Sequence, residues 1–280
     1  MSEAKTLDEA TPTAGDDSAH SEEVVYSVAD TIATIRLNRP ERQNTISRAM
    51  LDRLTELLIE ADEDRNVRVI IVAGSGRFFC AGLDLRGSEI SDGMGASRSV
   101  PNLDLRNTPP TVLHNIDTPT ICAVNGSAAG YGMDLALGCD IRVMADTAKL
   151  AAAFTARGIV PESGGTWILP RLLGWAKAAE LIFTGRTLMA NECLELGLVN
   201  HVVAADAVEE TARALATEIS AKAPLAVQAS KRMMRMGMNE TFNDHVHHVF
   251  LQLIPLMQSE DFREGMASFM ERRDPNFRGR

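Results

Sequence analysis

Aromatic residues make up only 5% of this 280-residue chain. Ala, Leu and Met supply much of its 45% apolar share, a mix that suits helices and argues against an all-β sandwich. No apolar run approaches the ~18 residues of a membrane span. Cysteine is scarce too. Cys80, Cys122, Cys139 and Cys193 stand far apart with no C-x-x-C. That spacing speaks against a zinc cage or a disulfide framework and for buried thiols in a reducing cytoplasm. Basic charge is short: 28 Lys and Arg face 38 Asp and Glu, a net charge of −10. Nucleic acid and anionic membrane both require a basic surface, so neither is an expected partner. The first residues lack the basic and apolar regions of a secretion signal.

The length fits one large domain, or a domain with a helical appendage, and can bury a sizeable core without staples. The negative charge is concentrated at the start. Glu3, Asp8, Glu9, Asp16, Asp17, Glu22 and Glu23 are offset there by Lys5 alone. Residues 1–22 are expected to form a disordered acidic tail.

Short strands are expected at residues 24–27 and 32–37, with a hairpin corner at Ala29-Asp30. Ser47 is a fair N-cap for a helix to about Asp62, with Met50, Leu51, Leu54, Leu57, Leu58 and Ala61 at helical spacing. Residues 67–73 and 120–124 read as strands buried on both faces. A helix to about Leu137 and a strand at 141–145 follow. This alternation implies a parallel sheet with right-handed crossovers. Residues 86–104 show little periodicity and read as a mobile loop, close enough to the site to act as a lid. From Ser163 onward the chain reads as helix, apart from a strand near residues 199–203. The helices after residue 205 are amphipathic and Met-rich, which suggests subunit packing.

Two glycine turns carry the chemistry. Gly74-Ser75-Gly76-Arg77-Phe78-Phe79 begins like a dinucleotide-binding fingerprint, but Phe79 occupies the third glycine position, so that reading fails. Ala81-Gly82 and Gly126-Ser127-Ala128-Ala129-Gly130-Tyr131-Gly132 each follow a strand, and the second turn opens a helix. Two such turns on neighbouring parallel strands can aim two N–H groups at one oxygen. An oxyanion hole of this kind supplies roughly 3–4 kcal/mol of transition-state stabilisation per donor. It serves chemistry in which a carbonyl becomes an enolate or a tetrahedral anion.

Three ordered blocks carry a resemblance. They are Leu37-Asn38-Arg39-Pro40-Glu41-Arg42-Gln43-Asn44, then Phe79-Cys80-Ala81-Gly82-Leu83-Asp84-Leu85, then Ala123-Val124-Asn125-Gly126 running through Cys139-Asp140-Ile141. With the tail from Phe269 to Phe277, their order and spacing resemble the crotonase (enoyl-CoA hydratase/isomerase) family. The resemblance implies an α/β fold, a crotonase-type spiral of ββα turns over residues 23–204. A C-terminal helical trimerisation region would occupy residues 205–280. It implies an acyl-CoA thioester substrate, coenzyme A being part of the substrate and no separate cofactor or metal being needed. A homotrimer or a hexamer built as a dimer of trimers is expected. The backbone N–H groups of Leu83 and Tyr131 become the oxyanion donors, although the family usually has glycine where Tyr131 stands. Ala81 lies where the family meets the adenine, and Arg39, Arg42 and Arg273 are candidates for coenzyme A phosphates.

A hydratase of this family uses two glutamates. The first position is Asp134 here, three residues after Tyr131 and so on the same helical face. The second falls on Phe154, which transfers no proton. A replacement acid stands in Val160-Pro161-Glu162-Ser163-Gly164-Gly165. This segment resembles the isomerase-like branch, in which an acid after the proline shuttles a proton. Glu162 and Asp134 are therefore the candidate catalytic residues. One carboxylate suffices for isomerisation, since it removes a proton from one carbon and returns it to another. A dipole-complementing acid is the plain alternative for Glu162, and a hydrogen-bonded polar residue beside the pocket is the alternative for Asp134. An acyl-CoA hydrolase or decarboxylase on the same scaffold is the rival enzyme, and a non-catalytic acyl-CoA or RNA binder is the rival of another class. His245 and His248 share a helix face and are expected to be structural or surface residues rather than metal ligands.

Overall fold

The computed structural model describes residues 23–84 and 108–280. The expected acidic tail and the expected lid lie outside the described residues. The chain opens with β1 (Val24–Ala29) and β2 (Ile32–Leu37), paired antiparallel around Asp30 and Thr31, whose φ values are 52° and 65°. Ser47 caps α1 (Arg48–Glu63), its hydroxyl accepting from the Met50 N–H at 3.2 Å. Met50, Leu54, Leu57, Leu58 and Ala61 form the buried face of that helix. Then come β3 (Val69–Gly74), β4 (Phe78–Cys80), α2 (Pro109–Asn115), β5 (Thr120–Val124), β6 (Ser127–Ala129), α3 (Tyr131–Gly138), β7 (Ile141–Ala145) and β8 (Lys149–Ala151). They are followed by α4 (Gly165–Leu173), α5 (Trp175–Thr184), β9 (Thr187–Met189), α6 (Ala190–Glu195) and β10 (His201–Val203). Four helices complete the chain: α7 (Val208–Ser220), α8 (Pro224–Gly237), α9 (Phe242–Gln258) and α10 (Glu260–Glu271).

The strands form two sheets, ordered β1-β2-β3-β5-β7-β10 and β4-β6-β8-β9. From β2 to β10 the first sheet is parallel. Every residue of β3 and β5 is buried, as their almost entirely apolar runs require. The second sheet was not foreseen, because its three-residue strands are too short to show any period. It explains the spiral. β3 hands over to β4, β5 to β6 and β7 to β8, so each turn lays one strand in each sheet. The turns between the sheets are where the site forms.

Polar side chains lock those turns. The amide of Asn44, fully buried, accepts from the Arg39 N–H at 2.9 Å and donates to the carbonyls of Ser75 and Phe78 at 2.8 and 2.7 Å. Asn125 accepts from the Gly74 N–H and donates to the Gly76 carbonyl. The β3–β4 turn is thereby fixed from both flanks, and buried backbone groups find partners that no strand supplies.

Although it follows residue 205, α7 belongs to the sheet body: Val208, Ala212 and Ala216 are buried, and it packs on β3, β5 and β7. The next helix is tied down by charge. Arg232 and Arg235 both pair with Asp117, and Lys231 pairs with Asp140 at 2.7 Å. Beyond it the packing changes. The 17-residue α9 buries no residue within the chain. Phe250, Leu253, Ile254 and Met257 on α9, with Met266, Phe269 and Met270 on α10, are exposed. His245 and His248 share the Glu240 carboxylate, at 3.1 and 2.9 Å, which gives both a structural partner. All four cysteines are free and buried. Among the described residues, no helix is long and apolar enough to cross a membrane.

Candidate active site

A cleft opens between the β4 end of one turn and the start of α3 in the next. It is lined by Ala81, Gly82, Leu83, Tyr131, Phe154 and Glu162, among others. Its floor is made of backbone. Gly82 comes so close to the neighbouring turn that a Cβ there would lie 3.0 Å from the Ala129 carbonyl oxygen and 3.9 Å from the Tyr131 nitrogen.

Leu83 and Tyr131 line this space, and local structure keeps the N–H of each out of the bridge and the helix ladder. Leu83 lies in an isolated bridge to Ile46, in which Gly82 supplies the carbonyl and Asp84 the N–H, each at 2.9 Å. Bonds alternate along an extended chain, so the N–H of Leu83 is left on the opposite side. Tyr131 is the first residue of α3 and has no carbonyl one turn back to donate to. The preceding Gly130 N–H is taken by the Ala151 carbonyl at 3.0 Å. The Tyr131 N–H also sits at the positive end of the helix dipole.

Glu162 stands at the rim, on the turn that leads into α4. Its side chain reaches solvent on one side. Loss of water on the other raises its pKa, opposed by a hydrogen bond from its own backbone N–H. A carboxylate of raised pKa is a stronger base and more readily holds a proton between steps. Phe154 is buried against Gly130, where the ring closes one wall. The Tyr131 phenol is pushed up by burial, reinforced by Cys80, Glu162 and Asp134, and stays neutral.

Asp134 is placed differently. It is fully buried under the turn and is not among the lining residues. Its Oδ2 accepts from the Ser163 hydroxyl at 2.8 Å and from the Gly165 N–H at 3.1 Å, while Oδ1 has no partner among the described residues. Burial pushes its pKa up to about 6, against the lowering effect of these two bonds.

The structure thus brings Ala81, Leu83, Tyr131 and Glu162 to one cleft, with Asp134 behind it. None of the three arginines is among the cleft-lining residues. Arg39 is 13% exposed and holds the chain together, pairing with Glu23 at 3.1 Å and Asp84 at 3.3 Å and donating to the Thr45 carbonyl. Arg273 pairs with Glu264 and Glu271, both at 2.6 Å. Arg42 is exposed on the turn after β2. Arg157 and Ile159 also line the cleft and were not anticipated. Arg157 ends a single 3-10 turn (Thr155–Arg157) and Ile159 follows it, a segment too short for any spacing to mark them. Ser163 and Gly165 were seen only as neighbours of Glu162. Their sequence signal was the small-residue helix start itself.

The sequence pattern of the enoyl-CoA hydratase/isomerase family matches residues 27–280. The chain belongs to that family. The human mitochondrial enoyl-CoA hydratase domain-containing protein 2 is 40% identical, over 89% of this chain and 86% of its own. The Escherichia coli 1,2-epoxyphenylacetyl-CoA isomerase is 34% identical, over 92% of this chain and 98% of its own. Among solved structures, an enoyl-CoA hydratase from Bacillus anthracis superposes with a TM-score of 0.84 at 33% identity, covering 92% of this chain and all of that one. The two-sheet spiral with its C-terminal helices is accordingly a crotonase-type fold.

Proposed function

We propose that this family member isomerises an enoyl-CoA thioester by proton transfer through a single carboxylate, Glu162. The observation that carries the reading is the convergence of Glu162, Leu83 and Tyr131 on one cleft that Phe154 also lines. In the proposed reaction the thioester carbonyl lies between the two N–H groups. Glu162 takes the proton from C2 of a 3-enoyl-CoA, the electrons move into the carbonyl, and the two N–H groups hold the resulting dienolate oxygen. The same carboxyl returns the proton at C4, giving the 2-enoyl-CoA. No atom is gained or lost, and the chemistry takes coenzyme A only as part of the substrate. Ala81 is the proposed neighbour of the adenine. Arg42, exposed and next to Gln43, whose carbonyl accepts from the Ala81 N–H at 3.1 Å, is favoured over Arg39 and Arg273 for the phosphates, because the other two are already in ion pairs.

The exposed apolar residues of α9 and α10 support a homotrimer or a dimer of trimers, since an isolated chain would leave that surface in water. A cytoplasmic location accords with four buried free thiols. Turnover of 2-enoyl-CoA and 3-enoyl-CoA side by side tests the function. The reading expects the 3-enoyl substrate to be consumed faster, and Glu162→Gln to lower that rate by about 10²–10⁴ with acyl-CoA affinity retained. A Glu162→Gln enzyme with wild-type rates overturns it.

A further inference from the structure

The family position occupied by Asp134 is one at which a carboxylate transfers a proton, but this carboxylate is built for another task. It is fully buried and outside the cleft lining. Its one bonded oxygen meets two points of the segment that carries Glu162. Ser163 follows Glu162 directly, and Gly165 is the first residue of α4. Both donate to the same Oδ2 atom, at 2.8 and 3.1 Å. The approach needs glycine at 165: a Cβ there would overlap the Asp134 carboxyl group. The intervening Gly164 takes a φ of 104°, so the backbone bends sharply between the two anchored residues. The far side of the turn is held by buried Pro161.

We propose that Asp134 is a positioning residue. One of its oxygens anchors the turn at Ser163 and Gly165 and so sets where the Glu162 carboxyl meets the substrate, while Asp134 itself transfers no proton. This rests on Glu162 being the proton shuttle. The task requires an acceptor atom, not a negative charge. Protonation would place hydrogen on the unpartnered Oδ1 and leave Oδ2 accepting both bonds. The side-chain oxygen of asparagine can do the same.

Glu162→Gln is measured first, and wild-type activity there removes the functional reading itself. With Glu162→Gln inactive, four readings decide the role of Asp134. Asp134→Ala is expected to lower kcat by about 10–100-fold with KM for the acyl-CoA little changed, since a misplacement of roughly an ångström has that effect on a reacting group. Asp134→Asn is expected to restore kcat to within about threefold of wild type. Ser163→Ala, which removes one of the two anchors, is expected to fall between them. The acid limb of the pH–rate profile, which belongs to Glu162, is expected to stay in place in Asp134→Asn. A proton-transferring Asp134 would show the opposite pattern: Asp134→Asn as impaired as Asp134→Ala, Ser163→Ala near wild type, and the acid limb displaced. A wild-type kcat in Asp134→Ala also overturns the proposal. If Asp134→Ala does not fold, Asp134→Asn and Ser163→Ala still decide between the two roles.

Discussion

A side-chain carbon on Gly132 would overlap the carbonyl oxygen of Cys80. The first turn of α3 therefore lies directly on the end of β4, backbone against backbone. That contact brings the Tyr131 N–H beside the segment that presents the Leu83 N–H. It also accounts for Cys80 being a buried thiol pushed up to about 12 by desolvation: it is packing material under the cleft and not a nucleophile.

Gly132→Ala should for this reason damage both stability and rate. Backbone cannot yield as the tip of a side chain can, so a loss of about 1–3 kcal/mol or more is expected from overpacking. The protein that remains folded should show a reduced kcat, because the two donors have separated. Chemical denaturation and single-turnover rates check both. A variant with unchanged stability would mean that α3 and β4 shift apart freely.

The pH dependence of turnover should follow Glu162. Its pKa is raised by desolvation, so the base is lost at a higher pH than an ordinary glutamate would require. Activity should fall as pH drops through that raised value, with the acid limb above the usual carboxylate range. A limb at the position of a solvated glutamate would place the working carboxylate outside the cleft.

Asp134 should leave its mark on stability and not on that limb. Its pKa rises from 3.8 to about 6 on folding. The fold therefore binds its proton more tightly than the unfolded chain does. The stabilisation linked to that proton is complete below the unfolded value and is lost as pH rises through about 6. At neutral pH the buried charge costs on the order of 2–3 kcal/mol. Asp134→Asn keeps the acceptor and removes the charge, so it should melt above wild type at pH 7.5. The gap should close toward pH 4, with part of the gain offset by the unpaired amide N–H. Thermal melts at the two pH values provide the check. A gap that widens at low pH contradicts the assignment.

Charge on the outer face of α9 should break the assembly. Phe250→Asp with Leu253→Asp alters two exposed residues of a helix that buries none within its own chain, so folding of the sheet body should persist. Sedimentation should show monomers in place of the proposed trimers or hexamers. An unchanged mass would move the interface elsewhere on the molecule.

Much of this protein was legible in one dimension. The strands at Ile32–Leu37, Thr120–Val124 and Ile141–Ala145, and the Ser47-capped helix, each carry their cause within the segment itself: a short, mostly apolar stretch, a period of 3.6, a hydroxyl at the right place. The blocks around Ala81-Gly82-Leu83 and Gly130-Tyr131 likewise stood out as small-residue turns after strands, while the donor role of Leu83 and Tyr131 came from the resemblance to the family. Tertiary structure alone decided the rest. The second sheet depends on pairing between three-residue strands that lie far apart in sequence, such as Phe78 with Ser127. The ion pairs that withdraw Arg39 and Arg273 join residues whose spacing gives no sign of contact. The separation between Glu162 at the rim and Asp134 beneath it follows from one buried oxygen and two donors on another turn of the spiral, a relation that no local pattern encodes.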